Sequence, residues 1–389
     1  MALKLALICE LIGFISVVSF EQFHLSFSND DSTMVVDFVS PSCKSTSVEY
    51  RVSNGEEPTT MSVDTEVLHM DEVGYLHSTE MIGLEKSTRY EYRAVCSQDT
   101  NEISDWIEFV TPPYNSDGSE VAAVFADFGL TNDVSMDFIV GDDEYDFALH
   151  VGDFAYDLED RNSKQGNEFM NTIGQRMQSK PYMPAVGNHE VHNPDVNATQ
   201  YVNRFWGVAM HAGKRSGSGS NFYYSFNRGL VHYVVVNTEV YHWGSEVSSS
   251  PLPHTAEEQL DWLDADLASV DRVQTPWVIA MGHKAWYMSS WGNVGWETRE
   301  GDTPEVNYPA FDKLFCKYGV DLYLSGHVHL YQRFYPMNAP DTMRFGAQPR
   351  DVDMESVSDD GHTYTNPMWY PTLIVASPGD DEISARATC

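Results

Sequence analysis

Cysteine and positive charge are both scarce in this chain. Its 389 residues include five cysteines, with no cluster at metal-ligand spacing, so a structural zinc site built on thiolates is not expected. Lysine and arginine total 23 against 58 aspartates and glutamates, a net charge of -35. Such a field repels nucleic acid and anionic membrane, and neither is expected as a partner. It repels phosphorylated ligands as well, so any phosphate chemistry needs a local concentration of positive charge. Stable membrane insertion is not expected, because the apolar stretch at the start is short for a span and carries Glu10. A solvated acidic surface of this kind suits an extracellular or acidic lumenal compartment.

Residues 1–19 carry Lys4, an apolar stretch and then Val17-Val18-Ser19, the order of a secretory signal cleaved before Phe20. Its removal discards Cys9 and leaves Cys43, Cys96, Cys316 and Cys389, which allow three pairings. In a secreted chain Asn197-Ala198-Thr199 is an acceptor for N-glycosylation. The length accommodates one large domain and a small one, with core enough that disulfides are not needed to hold them.

From 20 to 113 short β-rich runs alternate with turn clusters. Phe23 to Phe27, Thr33 to Phe38, Ser47 to Val52, Tyr75 to Met81, Arg89 to Val95 and Trp106 to Val110 are candidate strands, punctuated by Asn29-Asp30-Asp31 and Asn54-Gly55. Strands at this spacing predict a β-sandwich, and Tyr90-Glu91-Tyr92-Arg93 resembles the late strands of a fibronectin type III-like module. Cys43 and Cys96 both lie here, where they could pair. Nothing in the segment suggests chemistry, and a docking or shielding role is expected of it. Pro112-Pro113, followed by Tyr114 to Gly118, supplies a stiff boundary.

Beyond that boundary, from 114 to 389, apolar strands alternate with helical stretches such as Asn167 to Ser179 and Thr255 to Ala268. Five apolar runs finish on residues that can bind a metal: Asp127, Asp153, Asn188, His283, and His327 with His329. Reactive groups gather beyond the carboxyl ends of strands in open α/β sheets, so these scattered residues can converge. Gly152, Gly187, Gly282 and Gly326 each precede one of them and permit a sharp exit turn or a close backbone approach. His327 and His329 face one locus if their strand persists, or grip two adjacent ions if it turns. Carboxylates, an amide oxygen and imidazoles suit iron, manganese or zinc, and Asp153 could bridge two ions. Tyr156 would ligate as phenolate in acid only beside a strong Lewis acid, ferric iron above all. His150, inside an apolar strand, reads as a core histidine, and Glu190 as a partner that orients the ligands.

Asp127-Phe128-Gly129, Gly152-Asp153-Phe154-Ala155-Tyr156, Gly187-Asn188-His189-Glu190, Gly282-His283 and Gly326-His327-Val328-His329 resemble, in order, the five blocks of the purple acid phosphatases, within the calcineurin-like metallophosphoesterases. The resemblance implies an all-β N-terminal sandwich followed by an α/β metallophosphoesterase domain of two packed β-sheets flanked by helices. It implies Fe(III) held by Asp127, Asp153, Tyr156 and His329. One divalent ion, zinc, manganese or iron, would be held by the bridging Asp153 with Asn188, His283 and His327. Two such cations outweigh two carboxylates and a phenolate, giving the local positive charge that phosphate requires. The implied activity is a secreted acid phosphatase acting on phosphate monoesters of small molecules through a metal-bound hydroxide. Asn188 and His189 would bind substrate, and His189 would protonate the leaving oxygen. A homodimer is compatible with the resemblance.

The chain departs from the pattern in three places. Ala126 stands where the family commonly has glycine, and Trp286 to Trp296 lacks the histidine pair that plant members carry after the block of His283. Tyr370 to Ser377 resembles a late strand of the family, but Pro378-Gly379-Asp380-Asp381 and the tail do not continue it. An incomplete carboxyl end with an uncovered sheet edge is therefore expected. Two other readings accompany the first: a phosphodiesterase or nucleotide pyrophosphatase using the same centre, and a phosphate- or metal-binding relative with little turnover.

Overall fold

The computed structural model describes residues 20–53, 59–98, 102–113, 119–130, 133–141, 144–191, 198–241, 253–285, 308–337, 352–359 and most of 363–375. The signal at 1–19, the turn at Asn54-Gly55, the acceptor Asn197, the stretch 286–296 and the tail 376–389 with Cys389 lie outside the described residues.

Eight strands come first: β1 (Glu21–Ser26), β2 (Met34–Ser40), β3 (Thr46–Val52), β4 (Met61–Asp64), β5 (Glu66–Met70), β6 (Gly74–Met81), β7 (Arg89–Cys96) and β8 (Ile107–Val110). They form two four-stranded sheets, in the orders β1-β2-β6-β5 and β4-β3-β7-β8, with antiparallel neighbours throughout. Six of the eight agree with the sequence reading, give or take their ends. The other two, β4 and β5, are edge strands of four and five residues whose apolar Met61, Val63, Val67 and Leu68 are at most half buried, runs too short for alternation to mark a strand. Cys43 and Cys96 are joined by a disulfide, and Cys316 is a free, exposed thiol.

The second unit is α/β. It runs β9 (Ala122–Phe125), α1 (Asp133–Gly141), β10 (Phe147–Val151), α2 (Lys164–Met177), β11 (Tyr182–Ala185), α3 (Asn188–Val191), α4 (Thr199–Arg204) and α5 (Trp206–Val208). It continues with β12 (Tyr224–Arg228), β13 (Val231–Val235), α6 (Ala256–Ser269), β14 (Trp277–Met281), α7 (Tyr308–Tyr318), β15 (Leu322–Ser325), β16 (Tyr331–Phe334) and β17 (Thr372–Val375). Strands β9, β10 and β11 make one parallel sheet in the order β11-β10-β9. The other sheet has the order β12-β13-β14-β15-β17-β16, parallel from β13 to β17 and closed by an antiparallel strand at each end.

Strand periodicity sorts β10 between two cores. Phe147, Leu149 and Val151 face the second sheet and pack with Tyr233, Val235, Met281 and Leu324, whereas Ala148 turns toward Met136, Ile139, Phe169 and Ile173 of α1 and α2. On the far side of the second sheet, Val234, Val278 and Ala280 pack under Leu263, Leu267, Phe311 and Phe315 of α6 and α7. His150 points into the α1/α2 side. It is fully buried among Phe125, Phe154 and Phe169, with Nδ1 2.5 Å from the Tyr182 hydroxyl, and burial pushes it down to about 3. It is a core histidine.

The sandwich is more firmly seated than a docking module. Its core runs on without a break into the space between the two phosphoesterase sheets, through Phe23, Leu25 and Phe27, and Phe27 meets the rings of Phe147 and Phe226 at 5.4 and 6.0 Å. Arg204, 2% exposed, donates from Nη1 to Gln22 Oε1 at 2.8 Å and from Nη2 to Asn167 Oδ1 at 2.8 Å, and Tyr92 donates to the Gln178 carbonyl at 2.8 Å.

Candidate metal centre

The parallel strands of both sheets deliver their carboxyl ends to one place. β9 leads to Asp127, β10 to Asp153 and Tyr156, β11 to Asn188 and His189, β14 to His283, and β15 to His327 and His329. The expected turning residues are only partly the glycines. Gly152 has φ +89°, and the left-handed conformation is shared by the ligand-type residues, with φ of 56° at Asp127, 58° at Asp153, 50° at Tyr156 and 68° at His327, and by Ala155 and Asp157, at 61° and 80°. Non-glycine residues rarely sit there, at about 1–3 kcal/mol each, and they do so chiefly where a site over-determines the backbone. The remaining glycines serve close approach. A Cβ on Gly187 would lie 2.3 Å from Asp153 Oδ1.

Two donor groups result. In the first, His283 donates from Nδ1 to the Val151 carbonyl at 2.9 Å, which aims Nε2 at Asn188 Oδ1, 2.9 Å away, and Asp153 Oδ2, 3.2 Å away. The His327 ring lies 5.0 Å from the His283 ring, and ligand atoms of Asp153, His283 and His327 all fall within 4.8 Å of one another. In the second, His329 Nε2 lies 2.7 Å from the Tyr156 hydroxyl and 3.3 Å from Asp127 Oδ1. The backbone N–H of His327 donates to Asp127 Oδ2 at 2.8 Å and ties the groups together. Of the two geometries open to the His-x-His pair, the chain adopts the second. β15 ends at Ser325 and turns, so the two imidazoles join different groups.

The residues fit cations. Asn188 Oδ1, Asp153 Oδ2 and the Nε2 lone pair left on His283 are all electron-pair donors that converge, and the ammonium of Lys284 lies 3.1 Å from Asn188 Oδ1. Asp127 Oδ1 is buried with no hydrogen-bond partner among the described residues. The electrostatics agree. Burial opposes charge on His283, and the Asp153 carboxylate works the other way, raising its imidazole to about 10. Burial likewise opposes ionisation of Asp153, but His283 and His189 hold it well below the usual carboxylate range.

Around these groups stands a supporting shell. Glu190 accepts the N–H groups of Asp153, Phe154 and Gly187 at 2.9, 2.8 and 2.8 Å, clamping the β10 and β11 exits to each other. His189 donates its backbone N–H to Asp153 Oδ1 at 3.0 Å, and its ring Nδ1 lies 2.9 Å from Asp157 Oδ1. Burial works against charge on that ring as well, but Asp153 and Asp157 raise it to about 10. Asp157, Lys284 beside Asn188, and Glu239, 3.9 Å from the lysine Nζ, are absent from the sequence reading. The first two directly follow Tyr156 and His283, and that adjacency was the available signal; Glu239 lies far from every motif and gave none.

Residues 116–331 match the calcineurin-like phosphoesterase family, and 20–111 match the purple acid phosphatase N-terminal domain. "Acid phosphatase type 7" of Mus musculus is 30% identical over 381 residues, covering 93% of this chain and 78% of the relative. The protein of the same name from Danio rerio is 30% identical over 340 residues, covering 82% of this chain and 72% of the relative. A purple acid phosphatase from yellow lupin (Lupinus luteus) seeds shares the fold at a TM-score of 0.69 and 20% identity, over 95% of this chain and 67% of that one. The chain therefore belongs to the calcineurin-like phosphoesterases and, within them, to the purple acid phosphatases.

Proposed function

We propose that this chain is a secreted acid phosphatase that hydrolyses phosphate monoesters at a centre of one ferric and one divalent ion, the latter zinc, manganese or iron. The observation that carries the reading is the meeting of two donor groups at the carboxyl ends of strands from two sheets, one of them containing a tyrosine. Asp127, Asp153, Tyr156 and His329 would hold the ferric ion, and Asp153, Asn188, His283 and His327 the divalent one. Bound there, the cations would supply Lewis acidity and lower the pKa of a coordinated water, a source of nucleophile in acid.

The chain's own residues do the rest. Asn188 and His189 sit at the opening of α3, where an amide and an imidazole can orient phosphate oxygens. Asp157 holds the His189 ring through Nδ1, and Nε2 would give a proton to the departing ester oxygen. Secretion rests on the signal at 1–19 and glycosylation on Asn197, and both are checked by N-terminal sequencing and glycosidase treatment of the exported protein. Among the described residues no helix is long and apolar enough to cross a membrane.

The deciding experiment is the visible spectrum of the purified holoprotein, with turnover of p-nitrophenyl phosphate and bis-p-nitrophenyl phosphate. The expected result is a tyrosinate-to-iron charge-transfer band that Tyr156→Phe abolishes, with the monoester preferred. Preference for the diester would move the reading to a phosphodiesterase. Metal binding without turnover of either ester would leave only a binding protein.

A further inference from the structure

The lysine directly after His283 is buried, with 9% of its surface exposed. Its position is set by the backbone: the Lys284 N–H donates to Thr238 Oγ1 at 3.0 Å, and its carbonyl accepts the Tyr323 hydroxyl at 2.8 Å. From there the side chain reaches into the candidate centre. Nζ lies 3.1 Å from Asn188 Oδ1, 2.7 Å from His327 Nε2 and 3.9 Å from Glu239 Oε2. Glu239 is itself 1% exposed.

Taking an ammonium out of water is strongly unfavourable unless other charges and hydrogen bonds answer for it. Among the described residues the one carboxylate within 4 Å of Nζ, Glu239, stands beyond hydrogen-bond distance. The two close acceptors are neutral, and both belong to the donor group assigned to the divalent ion. An ammonium carries three N–H donors and is a compact point charge of the kind that binds phosphate. On a chain of net charge -35, a cation fixed by the fold beside the centre also answers the repulsion that a phosphorylated ligand meets on approach.

We propose that Lys284 is a substrate-binding and specificity-determining residue of this site, its ammonium donating to a non-bridging oxygen of the bound phosphate while Glu239 balances it from behind. The inference rests on the phosphatase reading above. It also says which esters gain: a monoester carries up to two negative charges on phosphorus and a diester one, so an added positive charge favours the monoester.

The test uses the holoenzyme as wild type, Lys284→Gln and Lys284→Arg. It measures inorganic phosphate binding by calorimetry, metal content by mass spectrometry, and kcat/KM for p-nitrophenyl phosphate and bis-p-nitrophenyl phosphate. With Lys284→Gln, phosphate affinity is expected to fall roughly 10- to 100-fold with metal content unchanged. The monoester-to-diester ratio of kcat/KM falls as well, and Lys284→Arg keeps most of the phosphate affinity. Lys284→Met serves the same purpose if the buried site does not tolerate glutamine. Unchanged phosphate affinity and an unchanged ester ratio would overturn the proposal, as would loss of metal, which would make Lys284 a support for the ligands. A wild-type enzyme inert toward both esters would sink the phosphatase reading itself, whereas an active wild type with an unaffected glutamine variant sinks only the role of Lys284.

Discussion

Glu190 shows how much of this centre depends on side chains that would touch neither metal nor substrate. Burial and the charge of Asp153 push its carboxyl up to about 8, yet all three of its close partners are N–H donors, and a proton on Glu190 would face them with nothing to accept it. The geometry therefore calls for a carboxylate, and cations beside Asp153 would relieve the repulsion. Glu190→Gln puts an amide N–H₂ against backbone N–H groups, so a loss of about 2 kcal/mol is expected, read from the denaturant midpoint, with weaker metal retention. His189 behaves differently. It holds no cation in the proposed scheme, so His189→Ala should slow turnover roughly 100-fold while both metals stay bound. Loss of metal in that variant would refute the acid role. The roles of His150 and Glu190 were legible in the sequence, one from its apolar strand and the other from its place after Asn188-His189. Those of Asp157 and Lys284 were not, because a charged residue beside a motif looks the same whether it points inward or out.

Among the elements, α6 is the clearest case of sequence acting locally. Thr255 Oγ1 accepts the Glu258 N–H at 3.2 Å and Glu258 Oε2 accepts the Thr255 N–H at 2.7 Å, a reciprocal cap that starts the helix one residue into the expected span. Leu263 and Leu267 then face the sheet. Thr255→Ala should cost about 1 kcal/mol of stability in chemical denaturation. Because α6 lies on the outer side of the second sheet, kcat/KM should hold. The strands β10 and β14 stand out in the sequence as the apolar runs Phe147 to Val151, broken only by His150, and Trp277 to Met281. The edges β4 and β5 were missed because they are short and half exposed, and α1 because the exposed Phe138 blurs the stripe made by Met136 and Ile139.

At the scale of the whole molecule, acid carries a stability penalty. His77 in the sandwich and His254 in the phosphoesterase unit are both lowered to about 4, by burial in each case. Unfolded, each titrates near 6.5, so between about pH 6.5 and 4 the unfolded chain binds more protons. Stability is therefore unpenalised above that window and falls through it as the pH drops, by on the order of 3 kcal/mol per histidine. His77 holds its neutral form by donating from Nε2 to the Cys43 carbonyl and accepting threonine hydroxyls at Nδ1, each at 3.0 Å. The thermal midpoint should be lower at pH 4.5 than at pH 7, and His77→Gln should flatten that slope. A midpoint that does not move with pH would show that bound cations or other groups compensate fully. The shared core through Phe23, Leu25 and Phe27 further predicts that the two units melt together in a single transition.

The sequence alone determined the order of the blocks, the donor types and the two-part architecture, because each is written locally, in apolar runs, in turn residues and in the kind of atom a side chain ends on. Tertiary structure alone decided which donors share a place. The turn after β15 sends His327 and His329 to different groups, the closeness of Gly187 to Asp153 lets two strand ends touch, and the path of the chain past Thr238 turns Lys284 inward. Those outcomes depend on contacts between residues far apart in the chain, and such contacts exist only once the sheets have packed.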